Sequence, residues 1–282
     1  MFRRRITAMV SALVCLLVVS SVQAQEFRVY TLMYDDRPAT SGTTEKSEPL
    51  GRSVSLFHAG KAYDYIPSLT EFTLFDPVQK RFLVVNRSRM LATQVSFEEI
   101  NTQLHRARGE AENYLSRIPT GDDADLKKRM TATKFQIDPK FQQTFDPQRL
   151  RLRLQGEPLN YEVLCAQSEI PKSAETFLNY ADWTARLNYL LHPQTLYPGP
   201  RLALNEVLRD KQLLPREVRL NSRIGSGAQL RAVHQFHWKL EKQDRRQITE
   251  CETLLRDPGL RQVTLEEYQQ RLTSDSRRVF RR

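Results

Sequence analysis

The sequence predicts an α+β fold, a largely antiparallel sheet with room to curve and helices packed on one of its faces. Three observations carry that expectation. The first third after residue 24 is a series of short β-branched and aromatic runs broken by turn residues. A capped amphipathic helix follows at residue 96. Strand-like and helix-like segments then alternate to the end of the chain.

Phe27 to Tyr34 opens the series and runs into a polar loop reaching about Pro49. Val54 to His58, Lys61 to Ile66, Glu71 to Phe75, Arg81 to Val85 and Arg89 to Val95 follow. The breaks between them, Ala59-Gly60, Pro67-Ser68, Asp76-Pro77 and Asn86-Arg87-Ser88, suit an antiparallel meander. Ser96-Phe97-Glu98-Glu99 reads as a capping box, and Phe97, Ile100, Leu104, Ala107, Ala111, Tyr114 or Leu115, and Ile118 form a stripe at helical spacing. A second helix is expected from Asp123 to about Lys134. The acids Asp122, Asp123 and Asp125 then serve its start, because a calcium loop would need a glycine and a closing glutamate that are missing.

Arg149-Leu150-Arg151-Leu152-Arg153-Leu154 alternates without a break and is the clearest strand, paired through Gly156-Glu157-Pro158 with Leu159 to Ala166. Helices are expected from Ser173 to Leu191, ended by Pro193, and from Leu202 to Leu213. Val218 to Ile224 and Gln229 to Leu240 form a second strand pair. In the latter, Leu230, Ala232, His234, Phe236, Trp238 and Leu240 share one side. A helix around Cys251 and another capped by Thr264 complete the chain.

Arg3, Arg4 and Arg5, an apolar run from Ala8 to Val19, and Val22 and Ala24 at the −3 and −1 positions read as a secretory signal cleaved before Gln25. The expected organisation is a signal peptide over 1–24, one domain over 25–275 and a basic tail over 276–282. Two halves meeting near residues 140–148 are the alternative. Export places the protein in the periplasm or outside the cell. Without the signal, 40 basic side chains face 33 acidic ones, a net charge of +7 over 258 residues. Such a chain is drawn to anionic envelope components, with no specific nucleic-acid reader in the sequence.

Cys165 and Cys251 are the cysteines left after cleavage, both placed inward by periodicity. They are the disulfide candidate, and an 86-residue closure would contribute roughly 4–5 kcal/mol. Two buried free thiols are the other reading, and neither cysteine has a catalytic setting. Of the histidines, only His234 and His237 are close. Three residues apart in a strand, their rings point to opposite faces, so His234 is expected as a hydrogen-bonded core histidine and no metal site is expected. No HExxH, GxSxG, SxxK, GxGxxG or P-loop pattern occurs in a suitable context, so no catalytic residue and no cofactor is assigned, and the expectation leans away from an enzyme. The binding candidates are Arg149, Arg151 and Arg153, a row repeating every 6.6–6.8 Å or so along one strand face, with Arg219 extending it if the later strand is adjacent. A solvated face protected at its edge by charge is the competing reading.

Phe57-His58-Ala59-Gly60-Lys61-Ala62-Tyr63-Asp64-Tyr65-Ile66, followed by Glu71 to Asp76 and Lys80 to Asn86, resembles a pattern of uncharacterised exported bacterial proteins, strand–GK.YDY–strand–FDP…RF–strand. More distantly, the strand order over residues 27–118 is similar to the lipoprotein-carrier class (LolA/LolB-like). That resemblance implies a curved antiparallel sheet cupping an acyl chain under helices. It carries over no binding residue, and the long helices between the later hairpins depart from it. The functional expectation is an exported envelope protein that binds an amphipathic or anionic ligand in a sheet groove. A lipid, a lipoprotein tail or an envelope polymer would be the partner, with peripheral membrane contact. An interaction module using a basic face is the alternative, and a hydrolase assembled from distant residues the third. A carrier requires a deep cavity lined by apolar sheet residues.

Overall fold

The computed structural model describes residues 25–37, 48–66, 70–118, 123–192 and 194–271. The expected signal segment, Asp122 and the basic tail lie outside them. Six short strands come first: β1 (Phe27–Asp35), β2 (Gly51–His58), β3 (Lys61–Ile66), β4 (Glu71–Asp76), β5 (Arg81–Asn86) and β6 (Leu91–Ser96). Two helices follow, α1 (Phe97–Arg117) and α2 (Ala124–Ile137), then β7 (Gln142–Asp146), β8 (Arg151–Gln155) and β9 (Leu159–Gln167). The rest of the chain runs through α3 (Ser173–Leu191), α4 (Gly199–Asp210), β10 (Leu213–Ser222), β11 (Ala228–His237), α5 (Lys242–Leu254), β12 (Arg261–Val263) and α6 (265–271).

All twelve strands join one open sheet in the order β12-β6-β5-β4-β3-β2-β1-β11-β10-β9-β8-β7. Every pairing is antiparallel except that of β12 with β6. The early meander and the late hairpins meet where β1 pairs with β11, with Val29 opposite Phe236 and Thr31 opposite His234. The α+β expectation therefore holds, and residues 142–146 form the edge strand β7 of this sheet.

The helices are not confined to one face. α1 to α4 cover the side carrying Phe27, Phe57, Phe75, Phe82, Leu152 and Val163, while Ile248 and Cys251 of α5 cover Leu56, Tyr63, Tyr65, Phe72 and Val85 on the other. The reason lies in the meander, where β2 to β5 present apolar residues at consecutive positions, as in Phe82-Leu83-Val84-Val85, all nearly inaccessible. A strand apolar on both sides needs cover on both.

Several boundaries move for local reasons. The strand expected from Arg149 begins at Arg151, because Leu150 sits at φ 48° in the tight turn joining β7 to β8. β7 itself, Gln-Gln-Thr-Phe-Asp, is a polar edge strand with no apolar alternation to announce it. α4 starts at Gly199 and ends at Asp210, so Leu213 opens β10. The caps hold in part: Ser96 Oγ accepts from Glu99 N at 3.0 Å, the serine half of the expected box, and Asp123 Oδ1 accepts from Asp125 N at 2.9 Å.

The disulfide expectation is corrected. Cys165 packs with the α1–α4 side of the sheet and Cys251 with the α5 side, and both are free thiols. A strand alternates its side chains through the sheet, so periodicity can place two residues inward without placing them on the same side.

Candidate functional site

Two regions merit description: the arginine row, and a cavity that sequence periodicity alone does not reveal. Arg151 and Arg153 project from the face of β8 that no helix covers, and Arg149 lies in the turn before it, 3.9 Å from Asp146. Register places Arg153 opposite Glu162 of β9, Glu162 opposite Arg219 of β10, and Arg219 opposite Arg231 of β11. The row is thus extended by Arg219 as expected, but it is threaded with acids. Glu162 lies 3.3 Å from Arg151 and 3.5 Å from Arg153. Arg219 pairs with Glu217 at 2.8 Å and Asp36 at 3.2 Å, and Arg231 pairs with Asp36 at 3.1 Å while stacking on Tyr34. The carboxylate of Glu217 beside Arg219 raises that guanidinium's pKa further. Four arginines thus share three carboxylates, so the face is a cross-strand ion-pair ladder rather than a free cationic strip.

His234 is the core histidine expected of it. Its Nδ1 lies 2.9 Å from Thr31 Oγ1 and its ring packs against Phe177, and burial lowers its pKa to about 3, which keeps it neutral. His237 points to the opposite face and is exposed.

The cavity lies between the sheet and the C-terminal half of α3. Most of that sheet face is filled by aromatic packing: Phe27 stacks on Phe57 at 4.1 Å, Phe57 meets the Tyr180 ring edge-on at 5.3 Å, and Phe97 stacks on Trp183 at 3.6 Å. At the level of β3 the pattern changes. Ser55, Asp64 and Thr73 stand directly opposite one another on β2, β3 and β4, in phase with Phe57, Ala62 and Phe75. A hydroxyl–carboxyl–hydroxyl row therefore crosses the helix-covered face. α3 lays Tyr180, Thr184, Leu187 and Leu191 over it, and a space of about 480 Å³ remains between the two layers. Asp64 and Thr73 form the floor, Leu187, Leu191 and Ile66 give apolar surface, and Glu71 and His192 also line the space.

Ser55 Oγ donates to Asp64 Oδ1 at 2.6 Å, and the Tyr180 hydroxyl lies 3.4 Å from Ser55 Oγ. Those hydroxyls favour the carboxylate, but the loss of water around Asp64 outweighs them and pushes its pKa up to about 6. Burial, followed by the Asp64 charge, sends the Tyr180 hydroxyl well above its ordinary range, so Tyr180 stays protonated. Thr184 Oγ1 lies close enough to act on Tyr180 yet has no partner in hydrogen-bonding geometry. Hydroxyls free to donate or accept, one carboxyl near its titration point and an apolar wall suit the reversible capture of a small molecule with a polar end. Apart from Ile66, the strand residues that line this cavity, Asp64, Glu71, Thr73 and Asn86, are polar, whereas an acyl carrier requires an apolar sheet lining.

Asp64 was available in the sequence only as the middle of Tyr63-Asp64-Tyr65, which reads as a strand with its polar residue facing water. Phase does not single out Ser55, Asp64 and Thr73, because residues of both phases are buried in β2, β3 and β4. No helix among the described residues is long and apolar enough to cross a membrane, and none of their His, Cys, Asp and Glu side chains form a group able to hold a metal ion. No protein-family model matches the chain, and no curated protein matches it.

Proposed function

We propose that the chain is an exported binding protein that holds a small amphipathic ligand in the groove between α3 and the sheet. The observation that carries this reading is the cavity of about 480 Å³ with a polar floor and an apolar wall. Its volume lies within the roughly 300–1,000 Å³ range of small-molecule sites. The ligand's polar end meets Asp64, Thr73 and Tyr180, and its hydrocarbon runs along Leu187, Leu191 and Ile66. The cleavable N-terminal segment supports export and a periplasmic or extracellular location, which makes a lipid-derived or envelope-derived molecule the natural cargo. The arginine ladder is a less favourable site for an anionic polymer, because Glu162, Glu217 and Asp36 already hold its charges.

Native mass spectrometry of the mature chain purified from its own cell envelope tests the proposal. A co-purifying small-molecule mass is expected, and it should be lost in Thr184→Trp, whose indole fills the space. A bare chain mass for both proteins, each folded by circular dichroism, would overturn it.

A further inference from the structure

We propose that the cavity under α3 selects an organic cation, an amphipathic primary ammonium whose charge is received by Asp64; this rests on the binding function proposed above. The chain as a whole carries a net charge of +10, yet the described lining of this cavity contains Asp64 and Glu71 and no lysine or arginine. A site for a fatty acid or phosphate would need the reverse.

Asp64 also stands apart from other carboxylates inside the fold. Asp76 has Lys61 at 3.9 Å, Asp182 has Arg209 at 2.6 Å, and Asp244 has Arg28 at 3.2 Å. Around Asp64, β2 contributes Ser55, β4 contributes Thr73 and α3 contributes Tyr180 and Thr184, all uncharged. Glu71 is engaged by the Tyr268 hydroxyl of α6 at 2.7 Å, the Arg89 charge acts on that same tyrosine, and His192 also lines the cavity. Only hydroxyls and burial act on Asp64, with no opposite charge contributing. A half-buried carboxylate that lines a groove without a counter-charge is unfavourable, and a bound cation supplies what is missing.

The surrounding groups narrow the class. A primary ammonium has three N–H donors, which suit the carboxylate oxygens of Asp64 and the hydroxyl oxygen of Thr73 beside it. A quaternary ammonium would instead call for a cage of several phenyl, phenol or indole rings, and Tyr180 is the one such ring in the described lining.

Calorimetric titration of the mature chain near pH 7.5 with n-octylamine, 1-octanol and octanoate tests the assignment. The amine is expected to bind at least tenfold more tightly than either isostere. Its affinity should fall by up to tenfold for each pH unit below about 6, as Asp64 takes up its proton. Asp64→Asn should abolish both the preference and the pH dependence, whereas His192→Gln should keep both. Octanol or octanoate binding as tightly as the amine would overturn the cation assignment and leave the binding function standing. An amine preference that survives Asp64→Asn would overturn the role of Asp64. Binding of none of the three would overturn the cation assignment and the amphiphile-binding function together.

Discussion

Asp64 shows how one side chain can be set against its surroundings. It titrates near 6 rather than at its ordinary 3.8 because the β3 position and the α3 lid remove water faster than the Ser55 and Tyr180 hydroxyls replace it. The folded chain therefore retains a proton that the unfolded chain releases. The stability linked to this group is fully present below about 3.8 and is lost as the pH rises through about 6. Asp64→Asn, which keeps the shape and removes the charge, should raise the stability of the unliganded protein near pH 7.5 by on the order of 1–3 kcal/mol. The gain should shrink towards zero near pH 4. Urea unfolding midpoints of the two proteins at both pH values check this, and a variant less stable than the parent near pH 7.5 would contradict it. A residue that costs stability and lines a cavity is where function is expected to have overridden packing.

α5 illustrates how an element finds its place. Its own helical content does little to dock it. It is held by Ile248 and Cys251 against Leu56, Tyr63 and Tyr65, and by a polar anchor at its first turn. Asp244, 3% exposed, accepts from the Glu241 backbone N–H at 2.8 Å and from Arg28 Nη1 of β1 at 3.2 Å, so one carboxylate both caps the helix and ties it to the sheet. Asp244→Ala removes both bonds and leaves Arg28 with Glu241 alone, at the solvent edge. The expected cost is about 2–4 kcal/mol. Because Cys251 is fully buried beneath this helix, the same variant should make its thiol react with iodoacetamide under native conditions. An unchanged native labelling rate and an unchanged urea midpoint would show that the anchor contributes nothing.

The molecule as a whole is a single sheet with unequal cover, and the cysteines report that plan directly. Burial pushes the Cys165 thiol up to about 11, and it raises Cys251 as well, against the opposing Tyr65 hydroxyl at 2.9 Å and the Arg87 guanidinium. With the sheet between them, they cannot join while the chain is folded. Unfolding the mature chain, without Cys15, in iodoacetamide and without reductant should therefore add two labels to its mass. A mass lower by two hydrogens, with neither cysteine labelled, would show that the two thiols had been joined. The arginine ladder follows from the same plan. β8 to β11 have helices on one side only, so their other face takes charged side chains, with Arg151, Arg153, Arg219 and Arg231 set beside Glu162, Glu217 and Asp36.

Local chemistry made much of this protein readable from its chain. The meander from Phe27 to Val95, the cap at Ser96, the long helix from Ser173 to Leu191 and the neutral core setting of His234 all depend on neighbours in sequence or on strand alternation. Those constraints act over a few residues and leave a periodic trace. β7 left none, because an edge strand facing solvent needs no apolar phase. The pairing of β1 with β11, the placement of α5 on the second face, the separation of Cys165 from Cys251 and the acids interleaved among Arg151, Arg153 and Arg219 depend on which strands become neighbours across the sheet. The cavity belongs to that second group. Ser55, Asp64 and Thr73 are ordinary polar strand residues until register aligns them and α3 closes over them, and only then does a carboxyl that would face water face a ligand-sized space instead.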